Sequence, residues 1–209
     1  MNLKAQEVQI LIRLGHLFLY FVLVFAFIFS IHFLAKVYGS VAFDENSWVE
    51  NIQLALLCIS VLVFCGQVVI FPAYRAVLLF LMCCCLFACC RELDATLDAL
   101  VPVLHWKFAY IFPLSAFTYI WKFREKARKQ FCDFFNMPAF YLMFLAVVLV
   151  IPVAQCIGHG TFVKNVLGIN KVADIKELFE ETTEAVGYFL ILLSSIEMYY
   201  NVKSIKVKK

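Results

Sequence analysis

The stretch ILIRLGHLFLYFVLVFAFIFSIHFLAKV, residues 10–37, decides the fold class of this chain. Its charged side chains are Arg13 and Lys36, which lie near its two ends. A helix of about 20 mostly apolar residues is long enough to cross the hydrocarbon core of a bilayer. The stretch is too long for the core of a signal peptide and has no convincing small-residue cleavage site, so it predicts a spanning helix.

The composition of the whole chain agrees with a membrane protein. Hydrophobic residues make up 64% of the 209 positions and charged residues 16%, whereas soluble domains average roughly 45–50% and about 25%. These values exclude a soluble enzyme, a secreted disulfide scaffold and a disordered chain. We therefore predict one all-α domain over residues 1–209, a polytopic transmembrane helical bundle of about six spans, at residues 10–37, 49–71, 73–91, 100–123, 139–157 and 184–202.

The fourth predicted span is the least regular, because residues 100–123 contain His105, Lys107 and Pro113. A re-entrant segment there would reduce the number of spans to four or five. With six spans and a cytoplasmic N-terminus, 12 of the 18 Lys and Arg residues face the cytoplasm and 11 of the 15 Asp and Glu residues lie outside. Because cytoplasmic loops carry excess Lys and Arg, we expect both termini in the cytoplasm and a plasma or inner membrane location.

Carboxylates from separate segments come to the same outer boundary in this topology. Glu177, Glu180, Glu181 and Glu184 have the spacing i, i+3, i+4, i+7, which puts them on one helix face. Carboxylates at this depth are costly unless they face protein, water or a cation. The sequence predicts an acidic binding site for a cation or a partner, composed of Glu50, Arg91, Glu92, Asp94, Asp98, Glu177, Glu180, Glu181 and Glu184.

Two simpler interpretations of these acids remain open. The glutamates before the sixth span also fit a solvated acidic face near a helix N-terminus, where the helix dipole favours negative charge. Arg91 could pair internally with Asp94, or it could hold a glutamate of the segment 177–184. The second arrangement would be a structural ion-pair network instead of a ligand site.

A divalent metal is a candidate cofactor, because imidazole together with carboxylate suits zinc, iron or manganese. The sequence has no His-x-x-x-His, Glu-x-x-His or His-Glu-x-x-His spacing, so this hypothesis rests on residues from distant segments. The candidate metal ligands are Glu181, Glu184, Asp94, His159 and His105.

A basic run on the cytoplasmic side has two interpretations. It enforces topology and contacts anionic lipids, or it binds a cytoplasmic partner protein that has an acidic face. In the second case Trp121, Phe131, Phe134 and Phe135 would anchor an interfacial helix that presents the charges. The basic residues are Lys122, Arg124, Lys126, Arg128 and Lys129.

Two further features lie inside apolar segments. We interpret the run CCCLFACC, residues 83–90, as small buried hydrophobes, because neighbouring helix positions point in different directions and cannot converge on one metal. Glu197 lies near the inner end of the sixth span, where we expect its carboxylate to reach the interface beside Tyr199 and Tyr200. The alternative is a buried proton carrier.

Three functional classes fit these observations. The first is a membrane accessory or sensor protein whose outer acidic site binds a cation or a partner. The second is a metal-dependent hydrolase or transferase acting on lipid, and the third is a small cation or proton-coupled transporter. The sequence shows neither a catalytic motif nor an internal repeat with charges at the midplane, so we favour the first class. We expect membrane lipids and a homo-oligomer or partner protein as binding partners, and no nucleic acid at a net charge of +3.

Overall fold

A computed structural model describes residues 3–43, 47–94, 97, 106–158 and 172–207. Within these ranges helix is the sole regular secondary structure. Short 3-10 segments cover Gly39–Phe43, Pro72–Tyr74 and Trp106–Tyr110. The α-helices are α1 (Leu3–Tyr38), α2 (Trp48–Ile70), α3 (Arg75–Glu92), α4 (Ile111–Lys122), α5 (Arg124–Phe135), α6 (Pro138–Val148), α7 (Ala154–Gly158) and α8 (Val172–Val207).

Over the described residues the all-helical prediction is confirmed, and the lengths and composition of the helices support a membrane-embedded protein. Five helical stretches of the described residues are long and apolar enough to cross a bilayer, and they match the predicted first, second, third, fifth and sixth spans: Leu14–Phe43, Trp48–Ile70, Pro72–Glu92, Pro138–Gly158 and Lys176–Ser204. The last begins eight residues before the predicted residue 184, because the helix continues without interruption through the acidic segment. Of the predicted span 100–123, residues 100–105 lie outside the described part of the chain.

The described part of that fourth segment nevertheless runs back along α3. Near the end of α3 the ring of Phe87 lies 5.0 Å from that of Tyr110, and nearer its start Phe80 lies 5.8 Å from Phe117 of α4. The two segments are therefore antiparallel, as consecutive spans would be.

Helix α1 also packs antiparallel to α8. The rings of Phe27 and Phe189 stack with their centroids 4.5 Å apart, and the Tyr20 hydroxyl donates a hydrogen bond to Glu197. Apart from this contact line α1 is largely exposed, with Phe18, Phe25 and Phe29 among its outward side chains. Such an apolar surface suits contact with lipid acyl chains.

A row of buried polar residues joins α2 to α8. Gln53, Ser60 and Gln67 follow one another at intervals of seven and are at most 1% exposed. The Gln53 amide donates to the backbone carbonyl of Glu181 over 2.9 Å, and the Gln67 amide donates to that of Ser195 over 2.8 Å. Both pairs are 128 positions apart, so the two helices run parallel in one axial register. Interhelical hydrogen bonds of this kind in membranes contribute about 0.6 kcal/mol on average.

Between α6 and α7 the chain forms a π-helical turn over Leu149–Val153, which contains Pro152. Proline lacks a backbone N–H and its ring clashes with the carbonyl four residues earlier, and a local π turn accommodates both effects. This region packs closely on α8 at Gly187. A Cβ atom at Gly187 would overlap the Val150 side chain and lie 3.3 Å from the Ala146 carbonyl oxygen. The helices approach this closely because residue 187 has no side chain.

At the end of the bundle where α3 begins, α5 lies across the first turn of α3. The Gln130 side-chain oxygen accepts hydrogen bonds from the backbone N–H groups of Ala76 (2.8 Å) and Val77 (3.4 Å). These first-turn donors of α3 have no partner within their own helix. Phe134 is buried and packs edge-on against Phe140 of α6. Of the four aromatic residues expected to anchor an interfacial helix, Phe131 and Phe134 pack against neighbouring helices and Trp121 and Phe135 are exposed; the interfacial position of α5 stays a prediction.

The cysteine run lies in α3 and contributes to the hydrophobic core. Cys83, Cys85 and Cys89 are buried, and Cys84 and Cys90 are half-buried. Their placement among apolar neighbours agrees with the interpretation of these residues as small hydrophobes.

The close packing of α8 can be tested with two glycine substitutions. Gly187→Ala should lower the free energy of unfolding by about 1–3 kcal/mol, because the new methyl group must displace Val150. Gly66→Ala is the matched control, because nothing lies within 4 Å of a Cβ there. It should be neutral or stabilising by roughly 0.5–1 kcal/mol, since Ala favours helix. Thermal unfolding in detergent measures both, and equal stability of the two variants would contradict this packing.

Candidate functional site

Carboxylates from three helices line one cavity at the end of the bundle where α2 and α8 begin and α3 ends. Its volume is about 450 Å³, and its described lining is Phe43, Glu50, Glu92, Lys176, Glu177, Glu180 and Glu181. Glu50 lies in the first turn of α2, where the helix dipole favours a negative charge. The Ser47 hydroxyl donates to the Ala42 carbonyl over 2.6 Å and ties the 3-10 segment, with Phe43, to the start of α2.

An ion-pair network lies directly behind the cavity. The Arg91 guanidinium is 2.6 Å from Glu184 and 2.8 Å from Glu92. The Tyr188 hydroxyl donates to Glu92 over 2.6 Å and accepts a hydrogen bond from Arg91 over 3.1 Å. The side chains of Glu92 and Glu184 are only 7% and 5% exposed. Buried charges of this kind require well-placed partners, and Arg91 supplies one positive charge for both carboxylates.

This network agrees with one of the two pairings considered for Arg91. Arg91 holds a glutamate of the segment 177–184, namely Glu184, and thereby joins the end of α3 to α8. Asp94 is half-buried beyond the end of α3 and does not belong to the described lining of the cavity. Asp98 lies outside the described residues.

The remaining glutamates of α8 occupy different depths. Glu181 is half-buried, and its carboxylate accepts a hydrogen bond from the Gln53 amide over 2.9 Å. Glu180 lies 3.8 Å from Lys176 and against Gly158, where any Cβ would overlap its carboxylate. Glu177 is exposed at the rim. The four glutamates expected on one helix face therefore have two different environments. Glu177, Glu180 and Glu181 line the cavity, and Glu184 lies in the ion-pair network.

Sequence reasoning missed several residues that shape the site. Gln53 is an amide inside an apolar span, and a polar side chain in such a segment is itself a signal of a functional or packing role. Lys176 and Tyr188 each lie four positions from a glutamate on the same helix, a spacing that places side chains side by side. Phe43 had no sequence signal, because its position depends on the packing of the segment between α1 and α2.

The metal hypothesis gains no support from the described residues. Among them the structure shows no group of three His, Cys, Asp or Glu side chains placed to hold a metal ion. His105 and His159 lie outside the described residues. The set of Glu181, Glu184 and Asp94 with either histidine therefore stays a prediction.

At the other end of the bundle the side chains are basic and exposed. Lys122 ends α4, and Arg124, Lys126, Arg128 and Lys129 lie on α5. The expectation that Glu197 reaches the interface was wrong. Glu197 is 6% exposed and its carboxylate accepts hydrogen bonds from Tyr20 and Asn201, because α1 covers this part of α8.

Comparison with protein-family models, curated proteins and solved structures finds no match to this chain. The chemistry of the site therefore follows from its side chains. Five carboxylates and one ammonium face a space larger than a single metal ion needs. Such a surface attracts positive charge and can bind a cation through several hydrogen bonds or through water.

The role of Arg91 can be tested by removing its charge. Arg91→Met should destabilise the protein by about 3–5 kcal/mol, because two nearly buried carboxylates lose their cation. The double variant Arg91→Met/Glu184→Gln should regain part of the lost stability, since the added substitution removes one of the uncompensated charges. Thermal unfolding in detergent gives the comparison. If the double variant were as unstable as Arg91→Met, the ion pair would not be the cause.

Proposed function

We propose that the chain is an integral membrane sensor or accessory protein that binds a cation, or the cationic group of a partner, in the acid-lined cavity. The observation that carries the proposal is the cavity of about 450 Å³ with five carboxylates and one ammonium in its lining. Glu50, Glu92 and the glutamates of α8 come from distant parts of the chain. Bringing these carboxylates together near the membrane costs free energy, and a positively charged ligand would offset that cost.

The geometry favours an organic or hydrated cation over a directly coordinated metal. A dehydrated metal ion requires three or more donors converging at about 2.0–2.6 Å, and the described residues offer no such group. Part of the negative charge is already balanced, because Lys176 lies near Glu180 and Arg91 pairs with Glu92. Glu177 at the exposed rim and the other glutamates deeper in the lining present carboxyl groups at separate positions, which suits a ligand carrying separated positive charges.

The proposed orientation places the cavity on the outer side of the membrane. The exposed basic residues of α5 are at the opposite end from the cavity, and basic loops are retained in the cytoplasm. The antiparallel packing of α4 on α3 supports a sixth passage through the bilayer. With six passages both termini are cytoplasmic, and the protein resides in a plasma or inner membrane.

The buried polar residues Gln53, Ser60 and Gln67 are compatible with the transporter alternative, because they extend from the cavity along α2 into the membrane-spanning region. These side chains are fully buried and two of them donate to α8 carbonyls, which is how a packed helix interface is stabilised. Binding without uptake into proteoliposomes is therefore the expected result. Uptake that is lost in Gln67→Leu would replace the sensor proposal with a carrier.

Cation binding can be measured with spermidine as an organic trication and Ca²⁺ as a metal probe, by isothermal titration of the detergent-purified protein. We expect spermidine to bind with one-to-one stoichiometry. Glu177→Gln and Glu181→Gln should each weaken the Kd by about tenfold, equivalent to about 1.4 kcal/mol. Glu125→Gln is the control, because it removes the same charge from an exposed site on α5, at the opposite end.

The outcomes separate the alternatives. Equal affinity of the wild type and Glu181→Gln, with all variants folded, would show that the acidic surface is only solvated. Binding of Ca²⁺ that depends on Glu181, without binding of spermidine, would support the metal-dependent enzyme instead.

The topology can be tested with an epitope tag at each terminus. Antibody should reach both tags only after the cells are permeabilised, because six passages return the chain to the side on which it started. Accessibility of one tag alone in intact cells would show an odd number of passages and contradict the proposed orientation.

A further inference from the structure

The start of α3 holds α5 at one depth. Gln130 accepts hydrogen bonds from the backbone N–H groups of Ala76 and Val77, in the first turn of α3. The Tyr74 hydroxyl lies 3.3 Å from the Asp133 carboxylate and forms a second link. Since a spanning helix begins where the hydrocarbon core meets the lipid headgroups, these contacts place α5 at the level of the headgroups.

Two arginines share one side of α5 with aromatic rings. Arg124, Arg128, Phe131 and Phe135 follow at i, i+4, i+7 and i+11, a spacing that places them on one face of the helix. Phe131 packs against Phe80 of α3, with ring centroids 5.7 Å apart, and Phe135 is exposed. When such a helix lies in the plane of the interface and turns this face toward the lipid, its rings contact the acyl chains and the long arginine side chains extend to the headgroups.

Aromatic residues continue this border beyond α5. Trp121 and Phe123, just before the helix, are both exposed, Trp121 by 79%. Tryptophan is enriched at the interface between lipid and water, where its ring is apolar and its N–H remains hydrated. The rings of Trp121 and Phe123, next to the arginine side of α5, therefore favour the same position, at the interface between lipid and water.

We propose that Arg124 and Arg128 bind the phosphate group of an anionic phospholipid headgroup. A guanidinium presents its donors in a planar fork that matches two phosphate oxygens, which an ammonium does not. The pair between Arg124 and Glu125 is long, at 3.8 Å, and both side chains are more than 70% exposed, so a phosphate can replace it at little cost. This site is at the end of the bundle opposite the acidic cavity and does not depend on the proposed function.

The other basic residues of α5 provide a matched control. Lys126 and Lys129 are exposed on the same helix, but they are turned by about 160° and about 100° from Arg128 around its axis. Replacing them changes the net charge by the same amount as replacing the two arginines. General attraction to a negative membrane would treat the two pairs alike, whereas a phosphate site on one face would not.

The test is native mass spectrometry of the full-length protein in detergent, with equal amounts of phosphatidylglycerol and phosphatidylcholine of the same chain length. The wild type should retain phosphatidylglycerol in preference. In the double variant Arg124→Gln/Arg128→Gln, the preference for phosphatidylglycerol should fall about thirtyfold, because each positive charge near the lipid surface contributes about fivefold. Lys126→Gln/Lys129→Gln should keep it, and Arg128→Lys should lose it in part, because the ammonium lacks the planar fork.

Four results would overturn the proposal. Equal losses in the two double variants would reduce the effect to overall charge. Displacement of the lipid by an excess of inorganic phosphate would assign the arginines to a free anion. Equal retention of both lipids by the wild type, or a bound acidic polypeptide in place of lipid, would remove the headgroup as the ligand. Helical circular dichroism and a single size-exclusion peak establish that each variant is folded.

Discussion

The axial register between α2 and α8 is the constraint on which the rest of the structure depends. The Gln53 and Gln67 amides, fourteen residues apart, reach α8 carbonyls that are also fourteen residues apart. A shift of either helix by one turn, about 5.4 Å, would break both contacts. It would also take the amide N–H groups of both glutamines away from these acceptors in a region where water is scarce. With the register set, Glu181 lies beside Gln53 and the first turn of α2 brings Glu50 to the same cavity.

The third wall of the cavity depends on charge. Arg91, in the last turn of α3, pairs with Glu92 and with Glu184 of α8, and the Tyr188 hydroxyl donates a hydrogen bond to Glu92. The same carboxylates would repel one another if the guanidinium were absent, because the surroundings are poorly hydrated. The network therefore has two effects: it attaches α3 to α8, and it leaves the remaining glutamates facing an open space. The structural ion pair of Glu184 and an open acid-lined cavity therefore lie next to each other.

The two ends of the bundle have different chemistry for a physical reason. At one end, the N-termini of α2 and α8 and the converging glutamates produce an acidic cavity. At the other end, α5 presents four exposed basic residues, Arg124, Lys126, Arg128 and Lys129, near exposed aromatic rings. The uninterrupted spans, the acidic face of α8 and the amphipathic α5 were all predictable, because each depends on local apolar runs and helical spacing. The burial of Glu197 was not, because it depends on the Tyr20 hydroxyl of α1, 177 positions away along the chain.

The sequence by itself determined that the chain is an all-helical membrane protein and that its acids lie near span boundaries. Both follow from runs of neighbouring residues, for which hydropathy and a period of 3.6 residues are sufficient information. Only the tertiary structure decided that Glu184 pairs with Arg91 while Glu177, Glu180 and Glu181 face a cavity. The four glutamates have equal charge and share one helix face, so their different environments depend on the elements packed against each turn. Those contacts come from α2, α3 and the segment before α2, which no local pattern could place.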